Sequence, residues 1–476
     1  MKNDSKPQNK IPVVDPPFYF DSRDSSYWYQ LGSRFIKMTA RDLGYHLKAD
    51  HGLKDNEYCF FEGGGCLNQL EAVKLNAMKK FLIDYAGPLA GHRKGIFSKA
   101  GSKFLVTDEP DDFWKDIPKK MPEPKFFISF IQELLGEHDQ WQFLAYWLHF
   151  ALKSLHAGDF RPGQCAVLAG EASCGKSLLQ LFITEILGGR AANPLRYLMD
   201  KTQFNLDLAR SEHWMMEDPQ TSTDIKTRRI FGAMIKEATV NLNISVHQKG
   251  KDAIPLPVFR RLTISVNDEA ENLCVIPPLD DSLKAKFMLF LCAKVQKCFE
   301  PYLDKNDEPD RKKIWADFIA ELPAIRSWLL HRQPALQKSL REIRCGIIYW
   351  HHPRLLETLD SLSQEARLLA LMDEVLWADA DDKDLHFVEL RWMELEDKLR
   401  KSSVGFEFEK LNKWQGATAT LMGRLTKAHP DRVSKIVSHG YATWRITKPK
   451  PQPTEDKNQL DLGVSAFAVQ AGLVKK

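Results

Sequence analysis

The chain has 476 residues, 43% hydrophobic and 27% charged, with a net charge of +4. That balance fits a soluble globular protein of two to four domains with room for a large core. It excludes a polycation, and no run reaches the roughly 18 apolar residues of a membrane span. The opening MKNDSKPQNK carries no apolar signal segment, so a cytosolic protein without a membrane partner is expected.

In chain order, residues 1–15 are polar and read as a disordered tail. Residues 16–125 read as a small α+β accessory domain. In it YWYQLGSRFIKM and YCFFEGGG look like short strands, and LNQLEAVKLNAMKKFLIDYAG looks helical. The run KKMPEPK, 119–125, reads as a linker. Residues 126–300 open on helices from Phe126 to Leu155 and continue in an α/β pattern. Residues 301–384 read as a helical region. Residues 385–448 offer helices near Leu390–Arg400 and Gln415–Ala428, then strands RVSKIV and ATWRIT joined through Ser438, His439 and Gly440. Helices followed by a basic hairpin predict a winged helix. Residues 449–476 read as a flexible tail.

The charge is unevenly spread. From Arg400 to Lys450 there are eleven Lys or Arg against three Asp or Glu, whereas 372–397 is acidic. The basic block suits a nucleic-acid face, although solvated helices carry similar runs. Eight cysteines without a CxxC pair argue against a disulfide framework. Cys59 and Cys66, with His51 and His92 nearby, match no common zinc spacing and read as buried thiols.

The strongest local signal is Gly170-Glu171-Ala172-Ser173-Cys174-Gly175-Lys176-Ser177, a full G-x4-G-K-[ST]. It follows the apolar strand CAVLA and precedes the helix-like LLQLFITEIL, the strand–loop–helix context that phosphate binding needs. Glycines let backbone amides wrap an anion, and the helix N-terminus adds its positive end. Lys176 is then placed for the β- and γ-phosphates of ATP, and the Ser177 hydroxyl for Mg²⁺.

About forty residues on, His213-Trp214-Met215-Met216-Glu217-Asp218 is an apolar strand ending in two carboxylates. One can hold the Mg²⁺ shell (Asp218 with Ser177 is the candidate metal pair) while the other orients or deprotonates a water. A third strand, Leu262–Val266, ends in Asn267, an amide able to touch the γ-phosphate or the attacking water. Lys176, Glu217, Asp218 and Asn267 are the candidate catalytic set.

These motifs together resemble superfamily 3 helicases, the compact AAA+ class of papillomavirus and polyomavirus helicases and of poxvirus- and phage-type primase-helicases. LAGEASCGKS, Thr202-Gln-Phe204-Asn205, Glu217-Asp218 and the upstream AGHRKGIFSKAGSKFLVT resemble the phage and plasmid group most. The similarity runs from about Tyr85 to Lys297 and is weak at both ends.

The resemblance implies an α/β fold with an AAA+ P-loop motor. It implies ATP and Mg²⁺ as cofactors, a homo-hexameric ring, and 3′-to-5′ movement on single-stranded DNA during replication of a phage, plasmid or other mobile element. It also implies a pore hairpin in VNLNISVHQKGKDAIPLPVF, with Lys249 and Lys251 flanking Gly250 at its tip. Glycine stands where viral relatives carry a tip histidine, so lysine is left as the phosphate grip. Arginine fingers reaching a neighbouring subunit are sought among Arg228, Arg229, Arg260 and Arg261. After the Asn strand the chain offers Lys284 and Lys286 instead of the family's arginine.

Duplex DNA is an expected partner of the C-terminal domain, and a separate primase or loader of the N-terminal one. Two rival readings remain at this point. One is an ATP-switched replication initiator that binds DNA without unwinding it; the other is a small-molecule P-loop kinase.

Overall fold

A computed structural model describes residues 10–15, 17–61, 65–99, 101–110, 113–219, 225–332, 340–377, 386–413, 418–438 and 441–449. Most of the expected N-terminal tail, the C-terminal tail from 450 and the 439–440 turn lie outside the described residues. No helix among the described residues is long and apolar enough to cross a membrane.

The N-terminal unit is a four-stranded sheet, in the order Arg34–Met38, Ser26–Leu31, Tyr19–Asp21, Leu82–Ile83. Helices Ala40–His51 and Gln69–Lys80 pack on it through Leu43, Leu47, Leu70, Val73 and Ala77. Thr39 and Asn68 cap them by accepting from Asp42 N and Glu71 N, each satisfying an otherwise orphaned amide. The expected helix through DYAG stops at Lys80; Leu82–Ile83 and Tyr85–Gly87 are strands.

Tyr85, Leu89, Ala90, Phe104 and Val106 belong to the core of the next unit, not to the N-terminal core. The break between cores therefore falls near residue 84, earlier than the expected boundary at 125.

Helix α1 (Lys125–Leu134) buries Phe127, Phe130, Ile131 and Leu134, an i, i+3, i+4, i+7 face. Helix α2 (Gln140–Ala157) ends at Gly158, whose φ of 63° is the left-handed cap that glycine adopts without strain. Strand β1 (Cys165–Gly170) is buried at all six residues, as a central strand of a parallel sheet covered on both faces must be. Helix α3 (Lys176–Ile186) follows, then β2 (Ala191–Ala192), β3 (His213–Glu217), α4 (Ile225–Val240), the hairpin β4 (Asn243–Val246) and β5 (Ile254–Pro257), β6 (Arg261–Val266) and β7 (Phe287–Cys292).

Strands β2, β3, β6, β1 and β7 form, in that order, one parallel sheet. Period-2 alternation sorts its side chains. Ala166, Leu168, Met288 and Phe290 meet α1, α2, α3 and α5 (Arg311–Ser327) on one face. Val167, Trp214, Met216, Ile264 and Leu289 meet Phe231 and Ile235 of α4 and Leu355 and Leu359 of α6 (Pro353–Ser361) on the other.

Because α5 and α6 cover this sheet, Arg311–Ser327 and Pro353–Ser361 pack with it and do not form a separate helical region. The C-terminal core joins α7 (Gln364–Trp377), β8 (Phe387–Arg391), α8 (Trp392–Lys401), α9 (Gly405–Lys413), α10 (Thr418–Ala428), β9 (Val433–Ser438) and β10 (Tyr441–Thr447). Its sheet is antiparallel in the order β8-β10-β9. Leu368, Leu369, Leu371 and Met372 of α7 lie in that core, so the unit begins near Gln364, not at 385. The acidic run and the basic block are thus neighbours: Arg432 pairs with Asp373, Arg445 with Glu389, and Arg400 with Glu396.

Candidate nucleotide site

The loop after β1 sits at the C-terminal ends of the parallel strands. There the chain first leaves for the far edge of the sheet and later crosses back to β7, a place where α/β sheets bind ligands. Two of its glycines are required for different reasons. A Cβ on Gly170 would lie 2.4 Å from the backbone oxygen of Cys292, and Gly175 has φ 123°, a backbone that L side chains rarely adopt. Ser173 holds φ 60° between them. The loop therefore presents its backbone closely curled around the start of α3, the form that an anion nest takes.

Lys176, 6% exposed, donates from Nζ to Gly170 O at 2.7 Å, Glu171 O at 2.7 Å and Asn267 Oδ1 at 3.1 Å. The structure thus joins the loop lysine and the strand-end amide directly. Ser177 is exposed beside it on the first turn of α3, and Glu171, Ala172 and Ser173 line the exposed rim.

Register aligns the rest. Val266 pairs with Ala169, which sets Asn267 level with Gly170. Glu217 pairs with Ser265 on the next strand out, and both Glu217 and Asp218 are exposed. Asp218 takes φ 34° and donates its N–H to Ser265 O at 3.0 Å, a backbone conformation that Asp tolerates better than most residues. Lys176, Asn267, Glu217 and Asp218 therefore share one edge of one sheet.

Cys174, buried in the same loop, has its thiol pulled down to about 6 by a hydrogen bond with Cys292, against burial and with help from the Lys176 charge. The Cys292 thiol is pushed well up, first by burial. The buried-thiol expectation for Cys59 holds, whereas Cys66 is exposed. His51 and His92 are engaged elsewhere, with the Tyr29 hydroxyl at 2.9 Å and Pro257 O at 2.7 Å.

A second, polar layer beneath the loop was not singled out from sequence. His213 Nδ1 meets Thr184 Oγ1 at 2.7 Å and its Nε2 meets Thr263 Oγ1 at 2.8 Å. Gln180 Nε2 donates to Thr263 Oγ1 at 2.8 Å and Met216 O at 3.1 Å. These contacts tie α3 to β3 and β6, the strands that end in Glu217 and Asn267. Burial pushes the imidazole of His213 down to about 3. The available signal was Gln180 and Thr184 at i, i+4 on the apolar face of LLQLFITEIL.

The stretch after α4 is a hairpin, with Ile244 opposite Leu256 and Val246 opposite Ile254, and Gly250 turns its tip at φ 77°. Asn205, fully buried, braces the hairpin: Nδ2 donates to Ser245 O at 2.9 Å and Oδ1 accepts from His247 N at 2.8 Å. Lys249 is exposed. Lys251 is not a free tip residue: its Nζ contacts Asp24 Oδ2 at 2.7 Å and Asp21 Oδ2 at 3.6 Å.

Three of the four candidate arginines are spent inside the chain. Arg261 is 1% exposed and donates to Arg161 O and Arg260 O. Arg228 is buried with Nη2 on Ile276 O at 2.6 Å. Arg260 donates to Ala238 O at 2.7 Å and to Asn241 O. These three guanidiniums are engaged with carbonyls of their own chain. Arg229 is exposed.

No family model matches the chain, and no curated protein matches its sequence. Solved structures do match. The apo C-terminal region of NrS-1 superposes with a TM-score of 0.54 at 12% identity, over 91% of this chain and 96% of that one. Its A form gives 0.52 over the same shares. The two chains share a fold. A weaker likeness, TM-score 0.37 at 9% identity over 92% of this chain and 93% of the other, is to Cch of type IV SCCmec, described as an active helicase.

The NrS-1 likeness spans the N-terminal unit, the five-stranded sheet and the C-terminal unit together. At 12% identity it speaks to that arrangement and not to which side chains work.

Proposed function

We propose that the chain is an ATP-driven DNA helicase of the superfamily 3, AAA+ type. In this reading it acts as a homo-hexameric ring in replication of a phage, plasmid or related element. The observation that carries the reading is the Lys176–Asn267 contact inside a glycine-enforced loop, with Glu217 and Asp218 on the same strand edge. A P-loop alone would fit many enzymes. A loop lysine bonded to a strand-end amide, one strand away from paired carboxylates, is what a motor that reports hydrolysis needs.

The residues fit a nucleoside triphosphate with Mg²⁺. The cradle excludes any Cβ at Gly170, and its lysine is buried with three oxygen acceptors at hand. Loop amides from Gly170 to Ser177 and the Lys176 ammonium would take the phosphates, and Ser177 with Asp218 would hold the metal. Magnesium supplies charge neutralisation on phosphate oxygens. Glu217 would accept a proton from the attacking water, and Asn267, bonded here to Lys176, would be in reach of that water or the γ-phosphate. His213, Gln180 and the two threonines hold α3 to β3 and β6, the two strands that end in Glu217 and Asn267, so a shift at Asn267 would be felt in this polar layer.

Arg229 is the remaining arginine to reach a neighbouring subunit. Lys249 is the hairpin residue free to grip a DNA phosphate, and a winged-helix reading of the C-terminal unit supplies duplex contacts. Support for that last point is its helices followed by the β9–β10 hairpin.

The test is ATPase activity with and without single-stranded DNA, followed by strand separation on a forked duplex. Stimulation together with unwinding is expected. ATPase unmoved by DNA would return the chain to a small-molecule kinase, and stimulation without unwinding would leave an ATP-switched initiator.

A further inference from the structure

At the β7 edge of the sheet, where His352 N donates to Leu289 O, three ligating side chains converge that the proposed function does not use. Glu137 and His138 lie in the short turn between α1 and α2, and His352 is the residue before α6. One ligand atom from each lies within 4.8 Å of the other two.

Glu137 Oε1 is the hub. It is 3.3 Å from His352 Nε2 and 3.6 Å from His138 Nε2. Charge-assisted hydrogen bonds run about 2.7–2.9 Å, so both contacts are long for that purpose. Two ligands bound to zinc at about 2.0–2.1 Å in a tetrahedron stand about 3.3–3.4 Å apart. The observed separations match a shared coordination edge better than an ion pair.

His352 supplies the independent observation. It is 2% exposed, and neither ring nitrogen has a hydrogen-bond partner among the described residues. Its position as helix N-cap does not explain the ring, since no side-chain capping bond is made. A buried polar group left in this way is destabilising, and such a group calls for a specific explanation.

The turn is shaped for the cluster as well. His138 and Asp139 are consecutive non-glycine residues at φ 54° and 53°, and the ring of His138 stands 5.2 Å from that of His352.

We propose that Glu137, His138 and His352 form a site for a divalent transition-metal ion of the zinc class, with water as the fourth ligand. The ion clips the α1–α2 turn to the start of α6. Its ligands come from positions 137, 138 and 352, so it closes a long loop, and it anchors a helix whose Arg354 pairs with Asp268 at 3.1 Å, next to Asn267. Two histidines and one carboxylate suit zinc in preference to magnesium or calcium, which favour oxygen donors.

The test uses the full chain, stripped with chelator and titrated with Zn²⁺, reading bound metal per chain, and with Co²⁺, reading ligand-field absorption. One tight ion per chain is expected, with a tetrahedral cobalt spectrum and a Tm that rises with zinc. His138→Asn keeps a residue that tolerates left-handed backbone at an exposed position, so it should fold. It and Glu137→Gln should each weaken zinc at least about ten-fold, the loss that even an outer-sphere partner of a metal causes. Zinc bound equally by the parent and His138→Asn, or no zinc bound by the parent, overturns the site.

Discussion

Lys251 and Asp24, 227 residues apart in sequence, are joined by a 2.7 Å hydrogen bond from Nζ to Oδ2. The link fastens the tip of the hairpin between β4 and β5 to the first sheet of the chain. Asp24 also accepts from Lys37 at 2.6 Å. Burial pushes its carboxyl up, but bonds from Lys251, Lys37 and Ser26 outweigh that and hold it well below the ordinary carboxylate range. The Asp24 carboxylate is therefore charged at neutral pH. If the hairpin grips DNA, its second lysine is held back by the N-terminal unit. Asp24→Asn should free Lys251 and tighten single-stranded DNA binding, steepening the salt dependence by about 0.7 in log–log slope for one added phosphate contact. Lys251→Ala should cancel that gain. Fluorescence anisotropy across a salt series reads both, and equal affinities in parent and Asp24→Asn would reduce the pair to a structural tether.

Gly170→Ala and Lys176→Ala should fail in distinguishable ways. The alanine methyl at 170 meets a backbone oxygen at 2.4 Å, which cannot swing aside. The loop must move, at a cost of about 1–3 kcal/mol, the usual price of overpacking. Lys176→Ala removes a cation and leaves space, so the fold should stand while ATP turnover is lost. Thermal melts together with an ATPase assay separate the two. A Gly170→Ala protein with parental Tm and parental turnover would mean that the loop is looser than its geometry.

His213 predicts an acid weakness. Its folded-state value of about 3 lies below the ordinary 6.5 of the unfolded chain. Between those values the unfolded state binds more protons, so stability is full above pH 6.5 and falls as pH drops through the window. From pH 7 to pH 5 this one residue should remove about 2 kcal/mol. His213→Gln should be less stable at pH 7, having lost the Thr184 and Thr263 contacts, but should show a shallower decline toward pH 5. Denaturant unfolding at the two pH values gives both numbers. An unchanged slope would place the acid sensitivity on other histidines held down by burial, such as the half-buried His351.

The part of the site legible in sequence is the part set by backbone rules. Gly170 and Gly175 announce a loop because no other residue fits there, and the strands before Glu217 and Asn267 announce themselves as short runs rich in apolar and β-branched residues. What stayed hidden depends on long-range contact. Nothing local in RRLTISV separates Arg261, buried under Gly163, from a surface arginine. Lys251 looked like a free tip because its partner lies in another unit. His138 and His352 share no spacing that a motif could express, since the fold alone brings residue 352 to the α1–α2 turn. The domain edges differ for the same reason: in sequence Tyr85–Val106 reads with the accessory domain and α7 with the helical region, until their aromatics and leucines are seen in the neighbouring cores.

The C-terminal unit permits a sharper expectation than its composition did. A net +8 over Arg400–Lys450 suggests many phosphate contacts, yet much of that charge is already answered. Arg400 meets Glu396 at 2.8 Å, Lys401 meets Asp397 at 2.7 Å, Arg432 meets Asp373 at 2.6 Å and Arg445 meets Glu389 at 2.7 Å. Lys427, in the last turn of α10, and Lys435, on β9, are exposed and enter no ion pair among the described residues. Lys435 also lies 5.7 Å from the centroid of Trp444, which steadies its long side chain at the surface. If this unit binds duplex DNA, these two lysines should carry a disproportionate share of the phosphate contacts. Each released counterion contributes about 0.9 to the log–log salt slope, so replacing both by alanine should flatten it by about 2. Replacing Lys401 and Arg400 instead should change it little and cost helix stability. The measurement is duplex binding by the nucleotide-free full chain between low and moderate salt. A slope that responds to Lys401 and Arg400 but not to Lys427 and Lys435 would show that the ion pairs open on DNA, and would move the interface to the α8 face.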